Sequence, residues 1–162
     1  MQPPPSLPNA KNFGLAWLLL SIALALHTWD AAVHDLLGYY NATVLALYGH
    51  FDGFPKLDVS FRSWLAVMIL ANLILFALTP LAFRNARWLR PLAYVAAGLG
   101  LASGIGHALV TLRGSTVPSV LVEGVSPGFY SSLLLLVSAC YLLWGLRKSS
   151  AGKRGNSITQ ST

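Results

Sequence analysis

The sequence predicts an all-α integral membrane protein, a four-helix bundle with both termini in the cytoplasm. Composition, run length and charge placement lead to that expectation. Of 162 residues 55% are apolar and 10% charged, with a mean hydropathy of +0.60, the balance of a chain whose solvent is lipid. Four apolar runs, Phe13 to Val33, Trp64 to Phe83, Pro91 to Leu112 and Pro127 to Leu146, each come near the ~20 residues that cross hydrocarbon as a helix. Long unbroken runs of this kind exclude a closed barrel, whose strands alternate apolar and polar residues.

The formal net charge of +6 invites a nucleic-acid reading, but the basic residues alternate along the chain. Lys11, the segment carrying Arg84, Arg87 and Arg90, and the tail with Arg147, Lys148, Lys153 and Arg154 hold eight of the eleven; Lys56, Arg62 and Arg113 lie in the other two loops. Eight against three is the positive-inside pattern, so the charge reports topology and no nucleic-acid partner is expected.

The elements follow in order. Residues 1–12 form a proline-rich cytoplasmic segment with one lysine, unlike the basic start of a cleavable signal, so the first run is the first span of a membrane domain over 13–148. The loop from Asp35 to Arg62 holds tyrosines, His50, Asp52 and Asp58; its apolar stretch Val44 to Tyr48 reads as a short interfacial helix and Phe51 to Pro55 as a turn. Pro80 ends or bends the second span. The third carries Gly98, Gly100, Ser103, Gly104 and Gly106, a small-residue face whose ordinary use is close helix packing. A loop from Arg113 to Ser126 with Glu123 leads to Ser126-Pro127-Gly128 and the fourth span, in which the single cysteine, Cys140, reads as packing. Residues 149–162 are small, polar and unpatterned, a disordered cytoplasmic tail by composition. Trp17, Trp64, Trp88, Tyr130, Tyr141 and Trp144 fall near the span ends, where amphipathic rings prefer to sit.

Ionisable groups inside a membrane are costly and mark function by default. His27, Asp30 and His34 are spaced i, i+3 and i+7, which leaves all three within about 60° of one helix face. His107 lies about 9 Å below the far boundary of the third span at a rise of 1.5 Å per residue, and His27 sits at comparable depth. Asn72 of the second span and Ser103 of the third add hydrogen-bonding groups slightly deeper. The bland alternative is a polar knot in which Asp30 pairs with His34, His107 bonds a carbonyl, and helix packing is all that is served. His34, Asp35, His50, Asp52, Asp58 and Glu123 read as solvated residues.

The pattern His27-Thr-Trp-Asp30-Ala31, with Asn72, Ser103-xxx-His107 and Ser126-Pro127-Gly128, resembles the bacterial HXXEE-domain family of four-helix membrane proteins over most of residues 13 to 146. Family members have His-x-x-Glu-Glu where this chain has His27, Asp30 and Ala31, and Asn-x-x-x-His where it has Ser103 and His107. The resemblance implies an architecture and candidate positions, not a reaction. Four spans, a histidine and an acid in the first, and an aromatic-rich first loop are also similar to the EXPERA group of sterol isomerases and lipid-ligand receptors, which implies a bundle that encloses a lipophilic molecule and protonates it.

Three functions are compatible with these residues. In an enzyme acting on a lipophilic small molecule, His27 and Asp30 form an acid/base pair with His107 opposite and Asn72 orienting the substrate; a divalent metal held by His27, Asp30 and His107 is an optional addition. In a haem or pigment protein, His27 and His107 are the ligands and the glycines make room for the macrocycle. In an accessory subunit of a larger membrane complex, the small-residue and aromatic faces meet a partner chain. Nucleophile elbows, phosphate loops and dinucleotide fingerprints are absent from the sequence.

Overall fold

The computed structural model describes residues 9–51 and 53–158, with side-chain surroundings for 11–51 and 53–147. Asp52 and residues 1–8 and 159–162 lie outside that description; of the expected terminal segments 1–12 and 149–162, residues 9–12 begin the first helix, and 149–158, read from composition as a disordered tail, continue the last one. The elements are α1 (Asn9–Val33), α2 (Leu36–His50), α3 (Phe61–Phe83), α4 (Leu89–Arg113), a two-stranded antiparallel hairpin of β1 (Ser115–Val117) and β2 (Val120–Leu121), and α5 (Phe129–Ile158). Four helices are long and apolar enough to cross a membrane, over Lys11–Val33, Phe61–Phe83, Leu89–Arg113 and Phe129–Arg147, and they overlie the four apolar runs. Helix α5 continues beyond its apolar part to Ile158.

Local chemistry explains the joints. Asp35 takes a left-handed conformation, φ 51°, and its carboxylate accepts from Gly38 N at 3.2 Å, which ends α1 and caps α2 in one step. A Cβ on Gly38 would strike that carboxylate. The interfacial helix read from Val44 to Tyr48 is longer, filling Leu36–His50. Asn41 of α2 clamps Val59, donating Nδ2 to its carbonyl at 3.0 Å and accepting its N–H at 3.1 Å. Ser60 then caps α3 by accepting from Ser63 N. Pro80 does not end α3, which runs on to Phe83. Gly114, with φ 64°, closes α4 by donating its N–H to Val110 O at 2.9 Å.

The four long helices do not form a square. Helix α1 packs against α3 and α5, and α5 packs against α4, so the order across the layer is α3, α1, α5, α4. Burial agrees: 44% and 33% of the apolar windows of α1 and α5 are covered, against 17% and 22% for α3 and α4. Phe83, at the end of α3, lies on Gly14, near the start of α1, and Gly100 and Gly104 of α4 lie on Ala139 and Leu136 of α5, so sequential long helices run antiparallel. A Cβ on Gly104 would stand 2.7 Å from Leu136 Cβ and 3.1 Å from Ser132 O; the small-residue face of the third span is thus a packing face against α5.

The apolar core sits at the end of the bundle that carries the termini. Trp17 and Leu20 of α1, Leu75 and Ala82 of α3, Leu89 and Ala93 of α4, and Leu142 and Leu146 of α5 belong to one buried cluster. Trp17 donates Nε1–H to Leu75 O at 2.8 Å within it. Outward faces keep large apolar side chains exposed, among them Val67, Leu73, Leu99 and Val137. Cys140, read from the sequence as a packing residue of the fourth span, lies on such an exposed face.

Candidate functional site

At the opposite end of the bundle the helix contacts become polar. The last two turns of α1 bring His27 and Asp30 to the start of α5, where Gly128 precedes the helix with φ 79°. A side chain there would collide: a Cβ on Gly128 would meet His27 Cε1 at 3.1 Å and His107 Cε1 at 3.2 Å. Glycine therefore fits this position for both its backbone angle and its lack of bulk.

His27 is held on both ring nitrogens. Its Nδ1 lies 3.0 Å from Ser131 Oγ and its Nε2 lies 3.1 Å from Ser103 Oγ. The Ser131 hydroxyl donates to Asp30 Oδ2 at 2.6 Å, with Gly128 O a second acceptor at 3.0 Å. Proton directions follow from the carboxylate, which can only accept when ionised. Ser131 gives its proton to Asp30, so its oxygen accepts from His27 Nδ1–H. Nε2 is then the unprotonated nitrogen and accepts the Ser103 hydroxyl. The assigned chain runs Ser103, His27, Ser131, Asp30, across α4, α1 and α5.

Asp30 lies against the first turn of α5, which carries Ser131, where a negative charge is favoured by the helix dipole. His34 Nδ1 lies 2.7 Å from Asp30 Oδ1, on a side chain 61% exposed. His107 meets His27 edge to face, centroids 5.1 Å apart and planes at 81°. Its Nδ1 pairs with Ser126 Oγ at 3.1 Å, while Ser126 N donates to Thr111 Oγ1 at 3.1 Å. Both histidines are only 9% exposed.

A cleft of about 390 Å³ lies between α2 and α4, beside the β1–β2 hairpin. Leu36, Tyr39 and Tyr40 of α2 form one wall, and Ser103 and His107 stand on the other, near Ser126. Thr43 of α2 is tied to Thr116 of β1 by a hydroxyl contact of 2.5 Å, which fixes the hairpin to that wall. His27 is not part of the lining and reaches the cleft through Ser103.

The structure therefore brings together His27, Asp30 and His107 and changes their relations. His27 and Asp30 are joined through Ser131 and not as a directly bonded pair. Asn72 is turned to another neighbour: its Nδ2 donates to Thr28 Oγ1 at 3.2 Å and to Met68 O at 2.8 Å, and its Oδ1 is buried without a partner. The metal set His27, Asp30 and His107 is not assembled as ligands. Among the described residues no three His, Cys, Asp or Glu side chains converge as a cation site, because Ser131 stands between two of them and His27 has both nitrogens engaged. Nor do His27 and His107 leave a slot for a flat macrocycle, with their rings edge to face and the Gly128 backbone against both. His50, Asp58 and Glu123 are exposed.

Ser131 escaped the sequence reading, and Ser126 and Gly128 entered it only as part of a motif. A serine one turn into an apolar helix is unremarkable until the facing helix is known. These features define an α-helical protein with four helices of membrane-crossing length and a partly buried network of hydroxyls, imidazoles and one carboxylate beside a cleft. No family model matches the sequence, and no curated protein and no solved structure is significantly similar to it.

Proposed function

We propose that the protein is a membrane enzyme acting on a lipophilic small molecule by acid/base chemistry. Its termini lie in the cytoplasm, as the alternation of basic residues favours, and the short loops suit a bacterial inner membrane. His27 is the base, steered by Ser131 and Asp30, and His107 is the second proton-handling group at the cleft.

One observation carries this reading: Ser103, on the cleft wall, is hydrogen-bonded to an imidazole whose other nitrogen is linked through Ser131 to a carboxylate. A knot serving only packing has no need to address a cavity. The mostly apolar and aromatic wall opposite, with Leu36, Tyr39 and Tyr40, suits a lipophilic occupant held by a few polar groups.

The test is incubation of the purified protein with a total membrane-lipid extract, followed by mass spectrometry. Wild type consumes a lipophilic species, and His27→Ala and His107→Ala slow that consumption by about 10²–10⁴-fold, the usual worth of a positioned acid or base. Unchanged rates in both variants reject the reading. Stable copurification of a second protein, with no lipid altered, would replace it with an accessory-subunit role.

A further inference from the structure

We infer that Ser103 is a nucleophile and that the reaction is acyl transfer from a lipophilic ester; this rests on the enzyme reading above. Many hydroxyls of the helices are used locally, whereas Ser103, Ser126 and Ser131 meet an imidazole, and of these three Ser103 and Ser126 line the cleft. Ser21, Thr28, Thr43, Thr79 and Ser132 donate to a carbonyl three or four residues back in their own helix, the ordinary fate of a hydroxyl in an apolar helix. Ser103 instead crosses to α1 and meets His27 Nε2 at 3.1 Å, inside the range expected of a nucleophile and its base.

The base is in turn oriented. Nδ1–H of His27 is held by Ser131, whose own proton goes to Asp30, so a hydroxyl is interposed where a triad has direct imidazole–carboxylate contact. Asp30 thus fixes the tautomer through Ser131 and stabilises the imidazolium when Nε2 takes a proton. His107, one helical turn after Ser103 on the same cleft wall, has Nδ1 engaged by Ser126. With Ser126 donating, the proton of His107 lies on Nε2, where it stabilises a developing oxyanion.

Ser103 Oγ bonds to the ester carbonyl carbon while its proton passes to His27 Nε2. The tetrahedral adduct collapses, the carbon–oxygen bond to the leaving alcohol breaks, and the alcohol departs with that proton. Water then gives a proton to His27 and attacks the acyl carbon, and Ser103 leaves as the hydroxyl with the proton returned.

A long-chain alkyl fluorophosphonate tests this on the full chain in detergent, read by intact mass and peptide mapping. The expected result is one adduct per chain on Ser103, absent in Ser103→Ala, formed at least about tenfold more slowly in His27→Ala and His27→Gln, and slowed to a smaller degree in Ser131→Ala. Equal thermal unfolding of wild type and Ser103→Ala shows that loss of the adduct is not loss of the fold. Absence of an adduct at Ser103, or labelling there at the same rate without His27, overturns the inference. If Ser103→Ala still consumes the lipid that His27→Ala and His107→Ala leave untouched, the nucleophile is wrong and the acid/base reading stands.

Discussion

The two ends of the bundle solve the same packing problem by different means. Near the termini, Trp17, Leu20, Leu75, Leu89 and Leu142 fill the interface with apolar volume. At the α2 end, the buried His27 and His107 and the half-buried Ser103 and Ser131 place polar groups between the helices. Buried polar groups require satisfied partners, and at this end both ring nitrogens of His27 and the Nδ1 of His107 meet a serine hydroxyl. Apolar packing is concentrated in one end and ionisable groups in the other, so on the proposed function substitutions in the two should separate cleanly.

The largest stability effect is expected in the apolar end. Trp17→Ala removes a fully buried ring and the hydrogen bond to Leu75 O, at a cost of about 3–5 kcal/mol. Equilibrium unfolding in mixed micelles measures it, and a loss comparable to that of a surface apolar change would deny that this end anchors the bundle. Gly104→Leu comes next. Its Cβ lies 2.7 Å from Leu136 Cβ, so α4 must move off α5 and carry Ser103 from His27; unfolding and fluorophosphonate labelling should both suffer.

Gly128→Ala sharpens the contrast from the polar end. The new methyl meets both histidine rings and the residue sits at φ 79°, a strain of about 1–2 kcal/mol for a non-glycine residue. Turnover should fall by more than tenfold, while the apolar core is untouched. A variant with normal turnover would mean that the rings need not keep their edge-to-face relation.

The smallest effect is expected at Thr28→Val, which removes one hydrogen bond to Asn72 and costs about 1 kcal/mol. Turnover should not change, because Asn72 faces Thr28 and Met68. A large loss of activity there would restore the substrate-orienting role that the sequence suggests for Asn72.

The same division sets what the sequence discloses. Span existence follows from run length, and α2 from an apolar stretch between charged residues, because both depend on local composition. His27, Asp30 and His107 stand out because ionisable residues are conspicuous in apolar runs, and a shared depth follows from helical rise alone. Helical rotation does not follow. Asn72 has the right depth, yet it faces Thr28 on a different side of α1 from the histidine network. Ser131 was hidden for the complementary reason: its role is created by α5 meeting α1, and nothing in its flanking residues marks it. The β1–β2 hairpin is too short, at three and two residues, to leave an alternating pattern in the sequence.

That the polar end works on a lipophilic molecule through His27 is the proposed function. It is tested most directly by comparing the lipid profile left by wild type with that left by His27→Ala, on preparations matched for unfolding midpoint. A lipophilic species should be lost, and a product should appear, only with wild type. Identical profiles from two equally stable proteins would contradict it and leave the histidines a structural role.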